Sequence, residues 1–143
     1  MDDVASVAEL IDAETWAIMV EPVQGEAGVI AATPEFLQGL GKLADEKNLL
    51  LIFDEVQTAP GRLGEWFGYQ YFGVEPDIIS TAKAIAGGMP MGVMLARPEI
   101  SGALKPGTHA STFGGHSLGC AAGIAGIKAM EKEDVMGNVK RLG

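Results

Sequence analysis

Five apolar residues in a row, Leu49-Leu50-Leu51-Ile52-Phe53, run into Asp54-Glu55 and set the tightest limit on what this chain can fold into. An unbroken apolar run of strand length is the pattern of a parallel sheet covered on both faces. Upstream, Trp16–Val20 reads as a second buried strand, ending at Glu21-Pro22. A helix fits between them. Thr33-Pro34-Glu35 supplies a cap, a proline at the first helical position and an acid near the positive end of the helix dipole. Phe36, Leu37, Leu40, Leu43 and Ala44 then recur at helical spacing through about Lys47. Strand, helix, strand is a βαβ unit, whose two strands run parallel.

The remaining elements are shorter. Val4, Val7, Ala8 and Ile11 suggest an amphipathic helix, and Gln24-Gly25-Glu26-Ala27-Gly28 a turn. Residues 58–75, with Gly61, Gly64, Gly68 and Gly73, read as a long irregular connection. Ile78–Ile79 and Met91–Ala96 read as strands and Gly107–Gly115 as a loop. Ser117–Lys132 reads as a helix with a small-residue face of Ala121, Ala122, Ala125 and Ala129. No repeat or linker interrupts the pattern. Residues 1–143 therefore read as a single α/β domain, a mainly parallel sheet with flanking helices.

Composition excludes several classes. Apolar residues make up 48 %, too many for a disordered acidic tail despite a net charge of −9. With no basic stretch to offset that charge, no nucleic-acid partner is expected. No apolar run approaches the ~18 residues of a membrane span. Met-Asp-Asp-Val-Ala is acidic where a secretory or transit signal would be basic, and a lone Cys120 cannot form an internal disulfide. The expectation is a soluble, cytoplasmic chain. His109 and His116 have no cysteine or acid at ligand spacing, so no metal site is expected.

Chemistry concentrates on two residues. In an open α/β sheet ligands sit beyond the carboxyl ends of the strands, where Asp54 should emerge. Asp54 could also simply cap the following turn. Four apolar residues before Asp-Glu also resemble the magnesium-binding strand of an ATPase, but no G-x-x-x-x-G-K-[ST] loop occurs in the chain. Gly39-Leu40-Gly41-Lys42 has the wrong spacing and lies inside the predicted helix. Lys83 follows the apolar stretch Ile78-Ile79 and is flanked by Ala82, Ala84, Ile85 and Ala86. Apolar surroundings would desolvate its amine and make it nucleophilic toward an aldehyde. A carboxylate and an amine at neighbouring strand ends suit pyridoxal phosphate, which needs one charge paired and one covalent tether.

Longer motifs carry a family resemblance. Glu21-Pro22-Val23-Gln24-Gly25-Glu26-Ala27-Gly28, Phe53-Asp54-Glu55-Val56-Gln57-Thr58, Ala82-Lys83-Ala84, Gly87-Gly88 and Ser111-Thr112-Phe113-Gly114-Gly115 occur in that order. Together they resemble the class III aminotransferases, pyridoxal-phosphate enzymes of the aspartate-aminotransferase-like fold (fold type I). Gly88–Gly92 and Leu104–Ser111 are most similar to the acetylornithine aminotransferases among them. The resemblance implies transfer of an amino group from N-acetylornithine, or a similar ω-amino donor, to 2-oxoglutarate, as in arginine biosynthesis. It makes Lys83 the tether (the internal aldimine) and the base and acid that move the substrate Cα proton. Asp54 would pair with the pyridine nitrogen, Val56 would pack on a ring face and Gln57 would bond the phenolic oxygen. Thr112 would bind the phosphate of the opposite subunit in a homodimer. Glu26 resembles a glutamate that gates a substrate-binding arginine, and Glu21 lies on the same turn. Where the family often has Asn-Pro after the glycine pair, this chain has His116-Ser117.

The likeness covers the middle to later part of the family's large domain. It implies that an upstream phosphate turn, an upstream ring-stacking aromatic and a downstream small domain with a carboxylate-binding arginine lie elsewhere. The alternative expectation is accordingly a truncated, inactive fragment that binds the cofactor weakly or associates with a full-length subunit.

Overall fold

A computed structural model describes residues 2–143. A four-stranded sheet runs in the order β1 (Ala17–Val20), β4 (Leu50–Asp54), β5 (Ile78–Thr81), β6 (Val93–Ala96). β1–β4 and β4–β5 are parallel, and β5–β6 is antiparallel. The first parallel pair is the expected βαβ unit, with α2 (Pro34–Lys47) as its crossover. Thr33 caps α2 by accepting from the Phe36 N–H at 3.2 Å, and Asn48 ends it in the left-handed conformation.

Leu37, Leu40, Leu43 and Ala44 of α2 are buried against Ile18, Leu51 and Phe53 of the sheet, and Phe72 and Val74 complete the core. Each large side chain buried here contributes roughly 1.5–3 kcal/mol. The short helix α1 (Val4–Glu9) packs on α2, and Val4 lies so close to Gly39 that a Cβ there would sit 2.6 Å from Val4 Cγ2. At the amino end of the sheet Asp77 is a staple. Its carboxylate accepts from the Leu51 N–H at 2.7 Å, and Arg97 pairs with it at 3.4 Å.

The structure departs from the sequence reading at several elements. β1 is an edge strand in which only Ile18 is buried, and Met19 is 61 % exposed. β4 is not covered equally on both faces: Leu51 and Phe53 are buried, while Leu50, Ile52 and Asp54 are half-buried. The turn after β1 carries an antiparallel hairpin, β2 (Val23–Gln24) with β3 (Ile30–Ala31). The connection over residues 58–75 contains α3 (Gly68–Phe72), and α4 (Pro98–Ser101) follows β6. Finally, α5 (Ser117–Lys132) buries Gly119 and Gly123 rather than its alanines. Gly123 packs on the 3-10 turn Lys83–Ala86, where an added Cβ would lie 3.3 Å from the Ile85 carbonyl oxygen. Residues Val135–Leu142 form α6. Among the described residues, no helix is long and apolar enough to cross a membrane.

Candidate functional site

Asp54 is the last residue of β4, and Lys83 follows β5 by two residues. Asp54 stands opposite Ser80 in the parallel register, so both groups leave the sheet at its carboxyl edge. The Asp54 carboxylate uses Oδ1 to accept from the Val56 N–H at 3.0 Å. Among the described residues Oδ2 has no hydrogen-bond partner. Asp54, Met19, Val20, Glu21 and Gln24 line a cavity of about 340 Å³.

Lys83 is exposed rather than sheathed in apolar side chains, which corrects the expectation drawn from its alanine neighbours. The alanines lie along a single turn, and only Ala86 is buried. The backbone of Lys83 is held at φ 43°, a left-handed conformation that a non-glycine residue adopts at a cost of about 1–3 kcal/mol. Gly87 and Gly88, at φ 57° and 109°, carry the chain out of the turn where a side chain would be strained.

The turn after Asp54 is built around a residue to which the sequence reading gave no role. Glu55 is 0 % exposed. Its carboxylate accepts from Thr58 Oγ1 at 2.8 Å, from the Tyr69 N–H at 2.9 Å and from the Gly68 N–H. The signal was present: Leu51, Phe53 and Glu55 alternate, so strand periodicity puts Glu55 on the buried face and Asp54 on the other.

Glu21, Glu26 and Gln57 come together around the hairpin turn at Gly25. Glu21 Oε2 accepts from the Gly25 N–H at 3.1 Å and braces the hairpin turn. Gln57 Nε2 donates to Glu26 Oε1 at 3.5 Å. Gln57 lies directly over Gly25, where a Cβ would run into its side-chain amide. The glycine is therefore a matter of close approach.

Thr112 sits in an exposed loop, and Ser111 and Phe113–His116 share a second cavity with Pro90, Met91 and Gly92. His116 caps α5: its Nδ1 accepts from the Gly119 N–H at 3.1 Å. The proton of the neutral ring then lies on Nε2, which donates to the Pro90 carbonyl at 3.3 Å. This histidine therefore joins the Thr112 loop to the segment that follows Lys83. His109 is exposed, and the described residues contain no cluster of three or more His, Cys, Asp or Glu suited to a metal. Cys120 is half-buried beside Gly123 and Ile124 in an apolar groove.

The family model for class-III aminotransferases matches residues 1–143. The acetylornithine aminotransferase of Caldanaerobacter subterraneus is 46 % identical over 143 residues, which cover all of this chain and 36 % of that enzyme. The acetylornithine/succinyldiaminopimelate aminotransferase of Yersinia pestis is 44 % identical over 140 residues, covering 98 % of this chain and 35 % of its own length. The ornithine aminotransferase of Toxoplasma gondii, whose structure has partial occupancy of PLP at its active site, superposes with a TM-score of 0.93. It is 38 % identical and covers 100 % of this chain, which spans 34 % of it. The chain thus spans about a third of the length of the relatives it matches.

Proposed function

The chain belongs to the class-III aminotransferases, and we propose that it supplies the tether and the pyridine-binding wall of a pyridoxal phosphate site. The reaction is amino transfer from N-acetylornithine, or a similar ω-amino donor, to 2-oxoglutarate. All 143 residues are assigned to one cofactor-binding domain. One observation carries this reading: Asp54 and Lys83 leave the same edge of adjacent parallel strands, and Asp54 borders a cavity of about 340 Å³. That volume falls within the roughly 300–1,000 Å³ typical of ligand pockets. The donor set also fits: a carboxylate with a free oxygen lines that cavity, and an exposed primary amine leaves the same edge of the sheet.

Bound there, pyridoxal phosphate would supply the electron sink that lets the C–H beside the transferred amine ionise. Asp54 Oδ2 holds a proton on the pyridine nitrogen by charge pairing. Val56 covers a ring face with its isopropyl group. Gln57 would bond the phenolic oxygen through its side-chain amide. Lys83 Nζ would be the covalent tether and would take up and return the proton on the substrate carbon that bears the transferred amine. Its strained backbone supports that role, since such strain clusters at functional sites. Thr112 donates its hydroxyl to the phosphate held by the second subunit of a homodimer. Glu26 and Glu21 face the substrate end, with Glu26 as the gate of its carboxylate-binding arginine.

A second reading rests on the exposed Leu118 and Ile124 of α5. In it, the 143 residues hold cofactor weakly, or dock on a longer subunit, without turning over. Borohydride fixation of pyridoxal phosphate followed by peptide mapping tests the site. Label should appear on the Lys83 peptide and vanish in Lys83→Ala, and label elsewhere overturns the reading. Steady, 2-oxoglutarate-dependent consumption of N-acetylornithine would then remove the second reading.

A further inference from the structure

Glu55 is the most completely buried acid in the chain, and no step above uses it. Its carboxylate is met only by donors: the Thr58 hydroxyl at 2.8 Å, the Tyr69 N–H at 2.9 Å and the Gly68 N–H. Three donors around one group leave it acceptor duty alone. Gly68 has no room for a side chain, since a Cβ would lie 3.0 Å from Glu55 Oε2 and 3.2 Å from Thr58 Oγ1.

The backbone of Glu55 is tied as firmly. Its N–H donates to the Ser80 carbonyl at 2.8 Å, on the strand that leads to Lys83. Its carbonyl accepts from the N–H groups of Thr58 at 3.2 Å and Ala59 at 2.9 Å. One residue is therefore clamped to β5, to its own turn and to the start of α3. Asp54 and Val56 flank it and are bonded to each other, Val56 N–H to Asp54 Oδ1 at 3.0 Å. Asp54 cannot swing without breaking that bond or shifting a residue that has no freedom to shift.

We propose that Glu55 is a positioning residue: by locking the 54–58 turn to α3 it aims Asp54 Oδ2 at the pyridine nitrogen. The inference rests on the site reading above. Glutamine has the same shape but must point an N–H₂ group at donors, leaving buried hydrogen-bonding groups unmatched. In Glu55→Gln the turn should relax, so that Asp54 loses its aim while the sheet remains.

The test titrates the full chain with pyridoxal phosphate and with its 1-deaza analogue, in which carbon replaces the ring nitrogen. A charge-assisted bond to that nitrogen should make the wild-type chain prefer pyridoxal phosphate by about tenfold. In Glu55→Gln the preference should collapse toward equality, and exchange of the Val56 N–H should quicken while the Leu51 and Phe53 amides stay protected. If both affinities fall together and the preference survives, Glu55 is only a brace for the fold and the proposal is overturned. If the wild-type chain shows no preference, the assignment of Asp54 fails first and takes this inference with it. Should Glu55→Gln not fold, Thr58→Val removes a single donor and must move the same ratio in the same direction, or the proposal falls.

Discussion

Before Glu75, nine buried side chains close into one core around Phe53, Leu37 and Leu40. After it, Ile79 and Ala86 are the buried apolar residues, while Met94, Leu95, Phe113, Leu118, Ile124 and Ile127 lie exposed. Asp54 and Glu55 belong to the first region, Lys83 and Thr112 to the second. The wall that would meet the pyridine nitrogen is therefore built by the chain's own packing. Lys83 and the Thr112 loop are held by less: the β4–β5 ladder, the close contact of Gly123 with Ile85, and the His116 bridge. A site needs both walls at fixed spacing, and only the first is backed by a core of its own.

Substitutions can break this contrast or sharpen it. Phe53→Ala should have the largest effect, about 3–5 kcal/mol in urea unfolding, because it empties the centre of the first region. A loss under about 1 kcal/mol would mean that the core is not what holds the chain together. Gly123→Val comes next. Its side chain would be forced against the Ile85 carbonyl, so α5 should lift from the Lys83 turn at a cost of about 1–3 kcal/mol. Borohydride fixation at Lys83 should weaken, while Phe53 and Leu51 amides keep their exchange protection. Ile124→Ser should do least, within about 0.5 kcal/mol, because the side chain is 57 % exposed. A cost as large as that of Phe53→Ala would erase the difference between the regions.

What was legible followed from local rules. Thr33-Pro34-Glu35 and the leucine spacing located α2, and α1, β4 and α5 were found within a residue or two. The β2–β3 hairpin was missed because its strands are two residues each and Val29 between them adopts φ 56°, which no propensity rule favours for a β-branched residue. α3 was missed because two of its first N–H groups are satisfied by Glu55, thirteen and fourteen residues earlier. Nothing within Gly68–Phe72 announces that partner.

The amino-acid sequence alone determined the α/β class, the parallel βαβ unit and the candidate carboxylate and amine, because periodicity, caps and motif order are properties of neighbours along the chain. Tertiary structure decided which donors meet the Glu55 carboxylate, that α5 packs through glycines and not alanines, and that Lys83 stands exposed on a strained turn. Those are matters of what lies opposite a residue in space, and a buried hydrogen-bond donor or a carbonyl at 3.3 Å leaves no trace at its own position in the sequence.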